Sequence, residues 1–267
     1  MTEPKVRHIL SLSGGKDSTA LAIYMKDKIP DVEYVFCDTG EELKEIYAYL
    51  DKLEAYLEKP IVRLNPDRPF SHYLQIFNGV LPDVRTRWCT RVLKIEPFED
   101  YVGNDPVVSY IAIRADELQR KGYISTKSNI TPVYPFIDDF KYKADIFRIL
   151  EESGIGVPDY YKWRSRSGCY FCFFQQKKEW VGLREHHPEL YEKAKQFEKF
   201  DPKTGKKFSW NQNESLTELE QPERLAQITS EIELKQKQTQ SRQSPFLLNM
   251  FDSDEEEAND GCLVCHL

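Results

Sequence analysis

Ser13-Gly14-Gly15-Lys16-Asp17-Ser18 is the stretch of this 267-residue sequence best equipped to hold an anion. It follows a short apolar run, 6–11, and precedes a segment, 18–28, in which Leu21, Tyr24 and Met25 recur at helical spacing. Strand, loop and helix are therefore expected in that order. A glycine turn so placed aims several backbone N–H groups at one point, and the helix N-terminus adds its positive end, so phosphate is the natural occupant. Gly14 and Gly15 accept the required backbone angles, Lys16 brings a charge, and Ser13 and Ser18 bring hydroxyls, with Ser11 just upstream in the same set. Asp17 is a candidate ligand for Mg2+. The longer spacing of a Walker loop is absent, which disfavours a kinase-like γ-phosphate site. The plain alternative is a Gly-Gly turn with no ligand.

The six cysteines are the second source of chemistry. Cys169 and Cys172 are close enough in sequence to bind one metal from a single turn, and Cys89 is a candidate third ligand. Thiolates in such numbers suit zinc or iron, and Cys37, Cys262 or Cys265 could complete the set. The alternative is that they are small buried hydrophobes, above all Cys37, which ends an apolar strand. Cys262-Leu263-Val264-Cys265-His266 formally matches a haem-attachment pattern but follows an acidic run in a chain with no export signal. It reads better as a mobile redox arm or a docking peptide. His186-His187, before Pro188, is expected to be solvated surface rather than a ligand pair, because adjacent helical residues face different directions.

The elements that must position these groups follow from periodicity. Residues 33–37 and 61–64 read as strands, while 41–57 carries Leu43, Ile46, Leu50, Leu53 and Leu57 at helical intervals. Residues 92–101 read as a helix, 107–113 as an apolar strand, and 141–152 as a helix ended by Gly154. Residues 175–200 read as one further helix. This alternation implies an α/β fold, a doubly wound, mostly parallel sheet with helices on both faces, which binds ligands at the carboxyl ends of its strands. The expected division is a nucleotide-binding domain with a cysteine-rich site over 1–200, a helical extension over 201–251, and a flexible acidic tail over 252–267.

Composition is that of a folded chain, with 40% hydrophobic and 30% charged residues. No apolar run suits a membrane span and no signal peptide is evident, so a cytoplasmic location with reduced thiols is expected. The net charge of −7 argues against nucleic-acid binding, but much of the acid lies at 252–257. Basic residues cluster at Arg85, Arg87, Arg91 and Lys94, and at Lys162, Arg164, Arg166, Lys177 and Lys178, so a basic site on an acidic protein is compatible with the sequence.

The loop resembles the S-G-G-x-D-S signature of PP-loop ATP pyrophosphatases, which cleave ATP between the α and β phosphates. Val35-Phe36-Cys37-Asp38-Thr39-Gly40 is similar to the second-strand D-T-G of the phosphoadenosine phosphosulfate (PAPS) reductase branch, and Arg87-Trp88-Cys89-Thr90 with Lys94 is similar to its cysteine motif. Ala112-Ile113-Arg114-Ala115-Asp116-Glu117 with Arg120 resembles its arginine motif, and Arg166-Ser167-Gly168-Cys169-Tyr170-Phe171-Cys172 resembles its R-x-G-C-x-x-C. The resemblance implies an adenine-nucleotide site in which the loop holds phosphates, Asp38, Thr39 and Gly40 lie beside the nucleotide, and Arg114 neutralises charge. The alternative for Arg114 is a structural salt bridge with Asp116 or Glu117. By the same resemblance Lys16, Asp17 and Arg114 are the catalytic candidates, and Cys89, Cys169 and Cys172 hold a [4Fe-4S] cluster, with zinc as the competing metal.

Sulfonucleotide reductases resemble this chain but typically lack a lysine in the loop and carry a cysteine pair where this chain has Trp88-Cys89. Within the wider family the chain looks more like the sulfur-transfer proteins of bacterial DNA phosphorothioation, of the DndC and SspD kind. That likeness implies ATP, Mg2+, a cysteine desulfurase as sulfur donor, DNA as acceptor, other proteins of a modification complex as partners, and no membrane. The alternatives are an adenylyl sulfate or phosphoadenylyl sulfate reductase, a tRNA sulfurtransferase, and a non-catalytic nucleotide- and metal-binding scaffold.

Overall fold

In the computed structural model, which describes residues 5–65, 67–120, 125–201, 205–211 and 214–241, strand β1 (Arg7–Leu12) buries Ile9, Leu10 and Leu12 completely. A strand apolar toward both faces belongs at the centre of a covered parallel sheet. Strand β2 (Val32–Cys37) lies parallel to it on one side, with Ser11 opposite Val35 and Leu12 opposite Phe36. On the other side β4 (Val107–Tyr110) pairs in parallel, with Leu10 opposite Tyr110. β3 (Ile61–Leu64) and β5 (Ile130–Val133) are the edges, giving five parallel strands in the order β3-β2-β1-β4-β5.

Helix α1 (Lys16–Met25) follows β1 through the glycine loop, and α2 (Lys44–Leu57) follows β2. The apolar stripe expected of α2 is the face it buries: Ile46, Tyr49, Leu50, Leu53 and Leu57. Ile9, Val35, Cys37, Val107 and Ile130 pack with Phe98 and Val102 of the helix Glu96–Val102. Each such large apolar side chain contributes about 1.5–3 kcal/mol by leaving water.

Three expectations are corrected and one strand is added. The strand expected over 107–113 ends at Tyr110, although Ile111 N still donates to Val133 O at 3.0 Å. β5 escapes a periodicity reading because Pro132 interrupts it, and an edge strand tolerates the missing donor. The segment expected to be one helix over 92–101 begins with a π-helical turn, Arg91–Ile95. The single helix expected over 175–200 is two, Lys177–His186 and Pro188–Phe197, followed by an antiparallel pair Lys199–Asp201 and Lys206–Phe208. Pro188 causes the break, since it disfavours helical backbone in the residue before it, and His187 sits at φ −141° and ψ 64°.

The contacts divide the chain into two units. The first holds the sheet and runs to Pro69, resuming over Cys89–Asp159; the second holds Phe70–Trp88 and the described residues from Tyr160 onward. Within the second, Phe70 lies at ring-centroid distances of 5.1 Å from Trp88, 4.3 Å from Phe171 and 5.2 Å from Phe197, an aromatic core of its own. Its later part carries helices Leu216–Leu219 and Pro222–Ser241. The expected tail over 252–267 lies outside the described residues, with Cys262 and Cys265. No described helix is long and apolar enough to cross a membrane.

Candidate functional site

The glycine loop leaves the carboxyl end of β1, which has β2 on one side and β4 on the other, so it opens where the strand order reverses. Gly14 takes φ +72°, and a Cβ there would fall 2.5 Å from Ile46 Cγ2, so both the backbone and α2 require glycine. Gly15 precedes the first turn of α1 in extended conformation. Ser18 Oγ donates to Gly15 O at 3.3 Å and lies 3.1 Å from Ser13 Oγ, while Ser13 N donates to Ser18 Oγ at 3.2 Å. These bonds close the turn upon itself. Ser11, just upstream, is buried with its hydroxyl unpartnered among the described residues.

Charge is concentrated beside this turn. Lys16, Asp17 and Arg114 are each at least nine-tenths buried. Asp17 accepts from Lys16 Nζ at 3.0 Å through Oδ2 and from Arg114 Nη1 at 3.0 Å through Oδ1. Arg114 reaches the loop because it lies just past β4, and its Nε also donates to Asp116 at 3.0 Å while Nη2 lies 3.6 Å from Glu117. Arg120 pairs with the same Glu117. The arginine expected at the nucleotide and the arginine in a salt bridge to Asp116 and Glu117 are thus one side chain in one geometry. Asp17 keeps lone pairs on both oxygens, so it fits Mg2+ as a single protein carboxylate beside substrate phosphates, the usual way that ion is held.

At the adjacent end of β2, Asp38 accepts from Gly40 N at 2.9 Å and Tyr47 Oη at 2.7 Å. Thr39 Oγ1 donates to both oxygens of Glu42, at 2.9 and 2.8 Å, and Glu41 N adds a bond at 3.2 Å. Burial raises the Glu42 carboxyl above its ordinary range, only partly opposed by Lys94. Glu42 escapes a motif reading, although the pair of acids after Asp38-Thr39-Gly40, Glu41 and Glu42, is the signal that would have found it. Lys94 sits in the π-helical turn, and its carbonyl accepts from Cys37 Sγ at 3.5 Å. Cys37 is a core residue whose thiol burial pushes up to about 12, in keeping with packing. Turns of π type recur at functional sites, and Cys89 lies two residues before the start of this one.

Cys169 and Cys172 belong to the second unit and share one turn, with Cys172 N donating to Cys169 O at 3.0 Å and Gln175 N to Cys172 O at 2.9 Å. Gly168 opens the turn at φ +125°. Neither cysteine is in a disulfide, and both are partly exposed. Among the described residues no three His, Cys, Asp or Glu side chains form a metal-binding group. The chemistry of the pair fits two ligands of a metal. His187 corrects another expectation: it is buried at 2% exposure, with its ring 6.0 Å from that of Trp163, whereas His186 is exposed.

Residues 7–173 match the phosphoadenosine phosphosulfate reductase domain, a span that includes β1, the loop, Arg114 and the cysteine turn. The chain belongs to this family. Two uncharacterized proteins of Methanocaldococcus jannaschii are 27% and 26% identical to this PAPS reductase family member, over 68% and 69% of it and 45% and 40% of their own lengths. The chain therefore spans less than half of those relatives. An uncharacterized nin-region protein of Escherichia phage lambda is 28% identical over 66% of this chain and 68% of its own. Among solved structures, a phosphoadenylyl-sulfate reductase from Candida auris, in a phosphate complex, aligns with a TM-score of 0.49 and 14% identity, covering 63% of this chain and 83% of that one.

Within this PAPS reductase domain the first unit brings together Ser11, Ser13, Gly14, Gly15, Lys16, Asp17, Ser18 and Arg114, and it also holds Asp38, Thr39 and Gly40 at the end of the neighbouring strand. Cys89 lies in the first unit and Cys169 and Cys172 in the second.

Proposed function

We propose that this PAPS reductase family member cleaves ATP between its α and β phosphates to activate a nucleic-acid phosphate, most simply in the DNA backbone, for sulfur insertion. The observation that carries the reading is Lys16, buried in the loop turn and held by Asp17. A lysine at that point suits a ligand that brings a pyrophosphate, which adenylyl sulfate compounds do not.

In this reading the loop amides, Ser13 and Ser18 bind the β and γ phosphates, and Lys16 and Arg114 balance the charge that develops on the departing pyrophosphate. Asp17 orients both cations and holds Mg2+, which when bound supplies charge neutralisation to the phosphates. A backbone phosphate oxygen attacks the α phosphorus and the α–β bond breaks, giving an adenylated phosphate and pyrophosphate. A persulfide sulfur, delivered by a cysteine desulfurase, then attacks the backbone phosphorus and AMP leaves. A second thiol cleaves the S–S bond, is oxidised to disulfide, and leaves sulfur on the backbone. Other proteins of a modification complex would present the DNA. Cys169 and Cys172 would supply two ligands of the metal group, a [4Fe-4S] cluster or zinc.

The second reading is a phosphoadenylyl sulfate reductase, favoured by the family description itself. Anaerobic incubation with Mg2+, ATP, DNA and a persulfide donor separates the two. AMP, pyrophosphate and phosphorothioate are expected, whereas sulfite from phosphoadenylyl sulfate with a thiol reductant, and no ATP cleavage, would favour the reductase.

A further inference from the structure

Arg164 is 1% exposed, yet among the described residues its guanidinium meets one acceptor: Nη2 donates to the carbonyl of Cys169 at 2.6 Å, and Nε and Nη1 have no partner. The amide of Gln175, buried at 5% exposure and bonded through its backbone N to Cys172 O, is also without a partner at both Nε2 and Oε1. Glu179, a buried carboxylate of the same unit, is taken by Ser165 N and Oγ, both at 2.6 Å, and by Gln176 N at 2.8 Å. An arginine cannot shed its proton as a buried lysine can, so burial leaves a fixed positive charge against the cysteine turn. Bound water would satisfy the N–H groups without neutralising that charge. An anion would do both.

We infer that Arg164 is the built-in counter-charge of an anionic metal–thiolate group carried by Cys169 and Cys172, with Nη2 fixed by the Cys169 carbonyl and Nε and Nη1 facing the acceptors that arrive with that group. Two thiolates cancel a divalent cation and each further thiolate adds a negative charge, so the group is an anion when its ligand set is complete. Sulfur atoms of the group accept from the guanidinium, and Gln175 supplies a further donor. Arg164 is thus a positioning residue that sets how tightly the metal is held. The inference rests on the reading of the cysteines as metal ligands given above.

The test uses the full chain, prepared metal-free and loaded anaerobically either with zinc or with ferrous iron and sulfide, the two arms distinguishing the metals. Retention against a graded chelator is compared for wild type, Arg164→Met, Arg164→Lys and the Cys169→Ser, Cys172→Ser double variant, and the melting temperature of each metal-free chain is recorded. Outer-sphere partners typically change metal affinity about 10–100-fold, so Arg164→Met is expected to lose at least about tenfold and Arg164→Lys less. Its metal-free form should melt no lower than wild type, because an uncompensated charge has been removed. Unchanged retention in Arg164→Met, or a metal-free melt well below wild type with retention intact, overturns the inference and assigns Arg164 a structural role. Wild type that binds neither metal above the double variant instead overturns the metal reading, and this inference with it.

Discussion

Beside the phosphate loop Lys16 and Arg114 share the carboxylate of Asp17, and Arg114 continues to Asp116 and Glu117, so buried cations there meet carboxylates without any ligand. Beside the cysteine turn Arg164 is as deeply buried and meets only a carbonyl among the described residues. Burying a pair costs desolvation that its own attraction largely offsets, whereas a lone buried charge has nothing to offset it. The contrast teaches that the two sites are prepared differently. On the reading proposed above, a phosphate at the loop would compete with Asp17 for cations already in place, whereas at the turn the incoming group would supply the anion that Arg164 lacks among the described residues.

The largest predicted effect breaks the self-neutralised side of this contrast. Asp17→Ala leaves Lys16 and Arg114 buried against a missing anion and should cost about 3–5 kcal/mol, read by denaturant unfolding. It should also abolish ATP cleavage, and Asp17→Asn should separate the two by recovering part of the stability and none of the turnover. Gly14→Ala is expected to cost about 1–3 kcal/mol, because it meets both a left-handed φ of +72° and Ile46 Cγ2. The double variant with Ile46→Ala should show less than the sum of its two single costs, the steric share being recovered, while nucleotide binding stays weak because the φ strain remains.

Glu42 sharpens the comparison through pH. Its folded pKa is raised, chiefly by burial, so its contribution is fully present below the ordinary value of 4.5 and is lost as pH rises through the folded value. Glu42→Gln should therefore melt above wild type at neutral pH, with the gap closing on acidification toward 4.5. A gap independent of pH would show that Glu42 is not held as an uncomfortable charge. The smallest effect is expected at Arg91, whose pair with Glu96 is 77% and 45% exposed. Arg91→Ala should change stability by about 0.5 kcal/mol or less. It should lower the salt dependence of DNA binding if DNA is the acceptor, as a titration at several ionic strengths would show.

How much of this was legible in the sequence depends on how local the cause was. The loop, α2 and the alternation of strand and helix follow from spacing, because glycine placement and apolar stripes are properties of neighbouring residues. β5 was not, since Pro132 masks it and only its edge position makes it tolerable. Nor was the burial of His187 legible, which requires knowing that Pro188 breaks the helix and that Trp163 lies alongside. The unpartnered Nε and Nη1 of Arg164 depend on which acceptors the fold brings to it, and no motif records that.

The most direct test of the central claim is product analysis of ATP labelled at its α and γ phosphates, with Mg2+, DNA and a persulfide donor, comparing wild type with Asp17→Asn. The account predicts AMP and pyrophosphate from wild type and intact ATP from the variant. Intact ATP from both, with sulfite released from phosphoadenylyl sulfate by wild type, would contradict it.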